Sequence, residues 1–188
     1  MLTSKRDHLI EVACGLFYRH GFHATGIDTI LAESGVAKMT LYKHFRSKDD
    51  LILATLRLQD RRWREWFVSA VEQRAAAPRE RLLAMFDVLE VSFRRKSFCG
   101  CPFLKATSEF PALNDPVHQI AVRHQSEVCR YIRGLASEAG AGDPDGLAEQ
   151  LGLLLRGAIA TAQVAGKVGS ARKAKEVARG LIDEATGG

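Results

Sequence analysis

No run of about 18 uncharged apolar residues occurs anywhere in this chain, which excludes a membrane-spanning helix. Four cysteines in 188 residues are too few for a disulfide scaffold. The opening MLTSKRDHLIEVACGLF lacks the apolar stretch and small-residue cleavage site of a secretory leader, so reduced thiols and a cytoplasmic location are expected. No segment alternates apolar and polar residues over the length of a strand, so no sheet is expected. Nor is there an internal repeat, a nucleophile elbow, a phosphate-cradling glycine loop or an HExxH pair, and an enzyme is not expected.

What is present is an ordinary core-forming composition, 46% apolar and 26% charged, with a net charge of +5. Its distribution matters more than its total. Residues 1–50 hold seven Lys/Arg against six Asp/Glu, 51–110 eleven against seven, and 111–188 nine of each. A nucleic-acid partner would therefore be met by a few well-placed cations in the N-terminal segment, not by bulk charge.

Helical periodicity runs nearly throughout. Leu9, Ile10, Ala13, Leu16 and Phe17 recur at spacings of three and four, and Gly21 follows as a stop. Thr25 with Asp28, and Ser47 with Asp50, read as capping boxes. They open a helix that stops at Gly35 and a long one that runs toward Ala77, where Pro78 ends it. Residues 37–45 form a short helix between them, and further helices are expected at 79–97, 102–110, 116–139, 144–168 and 171–185. The fold expected is all-α.

Residues 25–45 carry the most information. Two short helices joined by a tight Gly35-Val36 turn match the helix-turn-helix plan, whose second helix enters the major groove. An ordinary bundle corner shares that spacing. The residues discriminate further: Gly35-Val36-Ala37-Lys38-Met39-Thr40-Leu41-Tyr42-Lys43-His44-Phe45-Arg46-Ser47-Lys48 closely resembles the signature of the TetR (tetracycline repressor) family. So do the LF-x-x-x-G-F run at Leu16 to Phe22 and the Leu-rich helix after Lys48, an ungapped match from about Arg6 to Leu56. Met39 and Leu31 depart from the usual small residues of that pattern. The resemblance implies a three-helix helix-turn-helix DNA-binding domain at 1–48, a larger helical effector-binding and dimerisation domain at 49–188, and a homodimer. It further implies a repressor that a small hydrophobic ligand releases from a palindromic double-stranded DNA operator.

Within the motif, Lys38 and Thr40 open the recognition helix and can reach base edges or phosphates, and Lys43 lies a turn later. Met39 can touch a thymine methyl or pack. Tyr42 takes a phosphate by resemblance, and His44 is structural or touches phosphate. Thr25 and Gly26 open the preceding helix and Lys48 the fourth, where free N–H groups favour an anion. Leu41 and Phe45 are core.

Beyond residue 60, Trp63, Trp66, Phe67, Phe86, Leu89, Phe93, Phe103 and Phe110 are candidates to line an effector pocket, with Gln125 and Arg156 as polar groups that orient a ligand. The same stripe also suits plain core, and the resemblance favours the cavity. Leu151, Leu155, Ala158, Ala162, Val177 and Leu181 lie on the two helices that resemble the dimer-forming pair of the family. Cys99-Gly100-Cys101 offers a thiol switch as an alternative, but lacks the C-x₂-C spacing of a zinc site, so neither metal nor cofactor is expected.

Overall fold

Ser4 sets the first helix. Its hydroxyl accepts the Asp7 N–H at 3.1 Å, and α1 (Lys5–His20) runs until Gly21, whose φ of 92° admits no further turn. The computed structural model describes residues 4–187, and the remaining helices follow the sequence punctuation closely. They are α2 (Ile27–Ser34), α3 (Lys38–His44), α4 (Lys48–Glu72), α5 (Pro78–Phe93), α6 (Pro102–Glu109), α7 (Pro116–Glu138), α8 (Pro144–Ala165) and α9 (Ser170–Thr186). No strand occurs among the described residues.

Several boundaries differ from expectation. α4 ends at Glu72, five residues before Ala77, and Pro78 occupies the first turn of α5. The residue before a proline is pushed out of the α region, and Ala77 sits at φ −76°, ψ 139°. α5 stops at Phe93 and α8 at Ala165, where Gly166 takes a left-handed φ of 62°. The Ser47 cap forms, with Asp50 N–H donating to Ser47 Oγ at 3.1 Å and Arg46 N–H to Asp50 Oδ2 at 3.1 Å. The Thr25 cap does not form: α2 is opened by Gly26 with no side-chain cap.

The chain divides into two compact units, Met1–Arg62 with Pro102–His124, and Trp63–Cys101 with Gln125–Gly188. In the first, α1 packs on α2 and α3. Its core takes Leu9, Ala13 and Phe17 from α1, Ile30 from α2, Leu41 from α3, and Leu51, Ile52 and Leu56 from α4. Each Leu, Ile or Phe among them stabilises the fold by about 1.5–3 kcal/mol. Phe103 and Ala106 of α6 are buried in the same unit.

In the second unit α5, α8 and α9 pack on one another. Met85, Phe86 and Leu89 join Leu151, Leu155, Ala178 and Ile182 in one core. Ion pairs fasten α5 to α9: Asp87 to Lys175 at 2.6 Å, and Arg79 to Asp183. No described helix is long and apolar enough to cross a membrane.

Candidate nucleic-acid interface

α3 is only seven residues long, and its burial is one-sided. Leu41 turns fully inward, which forces the rest of the helix outward. Lys38, Lys43 and His44 are exposed, Thr40 is half-buried, Tyr42 is 46% exposed and Met39 86% exposed. At that exposure the Met39 thioether packs little against its own chain, which speaks against the core role open to it. The turn before α3 rests on Gly35, at φ 65°, and on Ser34, whose hydroxyl accepts the Val36 N–H.

Thr25 and Lys48 are engaged within the domain itself. Thr25 is 2% exposed, and its hydroxyl donates to the Gly21 carbonyl at 2.7 Å, so it closes the α1–α2 turn from inside. A buried hydroxyl already bonded to backbone has nothing left for phosphate; the adjacent Gly26 backbone is exposed. Lys48 is half-buried, and its ammonium donates to the His23 carbonyl at 3.2 Å, so it braces the same turn.

Sequence reasoning missed the groups that position this surface. The Glu109 carboxylate accepts the N–H of Phe22 at 3.0 Å and of His23 at 2.6 Å. The His23 ring lies 2.9 Å from the Glu109 carbonyl. Lys105 donates to the Tyr18 carbonyl at 2.7 Å. α6 thereby clamps the turn that leads into the helix-turn-helix, and no local pattern announces a contact across 87 residues.

The effector candidates fall in different places. Trp63 stacks on Phe67 at 4.6 Å and meets Trp66 edge-on, while Phe86, Leu89 and Phe93 are buried core. Phe103 and Phe110 belong to the first unit. Phe103 stacks on the His124 ring at 3.8 Å, and that ring donates to Asp60 at 2.8 Å. Phe110 packs on Phe22 and, at 4.8 Å, on His23, so its ring supports the α1–α2 turn. Of the candidates, Phe93 lines a cavity of about 300 Å³ with Phe98, Cys99, Gly100 and Gln163. Gln163 Oε1 accepts the Cys101 N–H at 3.2 Å, and Gly100, at φ 93°, passes so close that a Cβ there would meet the Gln163 amide at 2.2 Å. Burial pushes the Cys14 thiol up, which makes it a poor nucleophile.

The expected dimer residues are also redistributed. Leu151, Leu155, Ala158 and Ala162 are buried within the chain's own core, Leu181 is half-buried against it, and Val177 is exposed. A side chain that already fills its own subunit's core has no surface to offer a partner. The outward face of α8 is instead Leu153, at 63% exposure, Gly157, Thr161 and Val164, at 87%.

Two family profiles match the chain: bacterial regulatory proteins of the tetR family over residues 9–55, and a tetracyclin repressor-like C-terminal domain over residues 78–178. The crystal structure of SCO4454, a TetR-family transcriptional regulator from Streptomyces coelicolor, superposes with a TM-score of 0.89 at 31% identity, covering 97% of this chain and 96% of that one. Mb1581, an uncharacterized HTH-type transcriptional regulator from Mycobacterium bovis, is 24% identical over 82% of this chain and 74% of its own length. The transcriptional activator FasR from Mycolicibacterium smegmatis is 44% identical over 52 residues, which span 28% of this chain and 24% of FasR.

Proposed function

The chain belongs to the TetR family and is a transcriptional regulator with a helix-turn-helix DNA-binding domain; from that premise we propose that it acts as a homodimeric repressor released from a palindromic operator by a small hydrophobic ligand. Residues 1–48 read DNA, and 49–188 bind the effector and dimerise. The protein works in the cytoplasm and has no catalytic activity of its own. The observation that carries this reading is the outward face of α3, where Lys38, Met39, Tyr42 and Lys43 stand clear around an inward Leu41.

Lys38, Met39, Thr40 and Lys43 face base edges. Tyr42, His44, Lys48 and the Gly26 N–H meet phosphates, and Lys48 also braces its turn. The outer face of α8 supports the dimer: Leu153, Gly157, Thr161 and Val164 follow the helical period, carry no charge and stay exposed in the single chain. A two-fold dimer presents two recognition helices to half-sites about one DNA turn apart, ~34 Å. The ligand acts by favouring the state that does not bind DNA, since equal affinity for both states would shift nothing.

A nuclease footprint on the promoters beside its own gene tests the reading. The expected result is a two-fold symmetric protected site, relieved by one member of a panel of hydrophobic and cationic compounds. Protection without a palindrome would sink the dimeric repressor. Tyr42→Ala is expected to weaken binding to all sequences and flatten its salt dependence, whereas changes at Lys38, Thr40 or Lys43 should alter operator preference. Unchanged affinity in all four would remove the α3 assignment. Similarity to the activator FasR over the DNA-binding part makes the sign of regulation worth a reporter assay, in which deletion of the gene is expected to raise expression from the footprinted promoter.

A further inference from the structure

Arg156 on α8 holds a guanidinium nitrogen, Nη1, that is buried and has no hydrogen-bond partner. A buried cationic N–H without an acceptor is strongly unfavourable and needs a ligand, an ion or a water to account for it. Its neighbours supply no such acceptor. Gly152 lies one turn earlier, and a Cβ placed there would be 3.4 Å from Arg156 Nη1, 3.3 Å from Cys129 Sγ and 3.8 Å from Gln125 Nε2. The absent side chain is what lets these three groups from α7 and α8 converge. Gln125 donates one N–H to the Cys129 sulfur at 3.4 Å, a weak acceptor, and an amide nitrogen carries two. Arg156 takes part in no ion pair among the described residues, and Glu127 and Asp145, acids of the same two helices, pair with other cations: Glu127 with Arg130 and Arg64, and Asp145 with Arg133.

We propose that Arg156 and Gln125 form the subsite for a carboxylate group on the effector. This rests on the ligand-responsive reading above and adds to it the charge of the ligand. A carboxylate is planar, carries one negative charge and accepts several N–H bonds at once, so it matches a half-buried guanidinium whose inward nitrogen lacks an acceptor and is flanked by an amide. A neutral oxygen would leave the charge unmatched, and a phosphate dianion would exceed it.

Thermal melting and calorimetry of the full-length protein with straight-chain carboxylates from acetate to octanoate test this, with the matching primary amides and inorganic phosphate as comparisons at constant ionic strength. The expected result is saturable stabilisation by at least one carboxylate and none by its amide. Arg156→Gln should weaken that binding at least tenfold, Arg156→Lys should restore part of it, and Gly152→Ala should weaken it by crowding while the charge stays in place. A melt matching wild type without ligand shows that each variant is folded. The proposal is overturned if no carboxylate binds saturably, if phosphate binds better than every carboxylate, or if Arg156→Gln binds as wild type does. Dissociation of the Arg156→Gln dimer with no carboxylate response would assign the nitrogen to a subunit contact, and would equally overturn it. A band shift separates the two levels. Release of DNA by a neutral compound alone leaves the effector reading standing and removes the carboxylate, whereas Arg156-dependent carboxylate binding with no release does the reverse.

Discussion

Tyr131 shows how one polar atom can work against the fold that holds it. Its hydroxyl is buried without a partner, its ring meets Phe67 edge-on, and burial, helped by Glu72, pushes its pKa up to about 12. Removing an unsatisfied buried hydroxyl relieves its desolvation, so Tyr131→Phe is expected to stabilise the protein by about 1–2 kcal/mol in a thermal or urea melt. The raised pKa also fixes a sign. Between the ordinary value of 10.0 and about 12 the unfolded chain loses this proton first, so stability falls as pH rises through that window. The Phe variant should lack that portion of the alkaline loss, and an alkaline profile identical to wild type would contradict the assignment. At acid pH the Arg62 guanidinium bonded to Glu11 holds that carboxyl below its usual range, so the pair's contribution is present above the ordinary carboxylate pKa and lost as pH falls. Both groups are solvent-facing, and the effect is under about 1 kcal/mol. Leu41 is the opposite case from Tyr131: fully buried under α3, its change to Ala should cost about 2–5 kcal/mol and weaken operator binding through unfolding.

The elements differ in how far the sequence exposes them. Helix starts were legible because a Ser, Asp or Pro leaves a local mark, as at Ser47, Asp143 and Pro116. Helix ends were less so, because Ala75 to Ala77 have high helix propensity but the proline that follows rules over them. Thr25 fooled the capping pattern since a hydroxyl can bond backward to a carbonyl as well as forward to an N–H. α8 carries uncharged residues on two faces, and a period of 3.6 gives the phase of a stripe without saying which of two stripes is inside. The stripe through Leu151 and Leu155 went into the core, and the one through Leu153, Gly157 and Thr161 went outward. The α6 clamp had no signature at all. Its role is tested by Glu109→Ala, which should speed hydrogen exchange at the Phe22 and His23 amides and lower operator affinity, with the second unit's core amides unchanged. Unaltered exchange at both amides would mean that the carboxylate does not hold the turn.

At the scale of the whole molecule, α3 and the uncharged outer side of α8 both stand exposed, and the second is where the proposed dimer is tested. Thr161→Arg puts a long cation in the middle of the α8 face, at a position exposed in the single chain. It is expected to convert a dimer to monomers in sedimentation while leaving the monomer's melting behaviour intact, and to reduce operator affinity by at least tenfold through loss of the second half-site. A dimer that survives the change would place the contact elsewhere. The clamp carries a different consequence. Since Phe22 and His23 depend on a carboxylate 87 residues downstream of Phe22, the part that reads DNA is not a cassette that can be cut from the front of the chain. A chimera built by grafting residues 1–62 onto a foreign sensor would arrive with two uncapped amides and a Phe22 ring that keeps Phe17 but has lost Phe110. Specificity can be transplanted only by moving two separated stretches of the gene together.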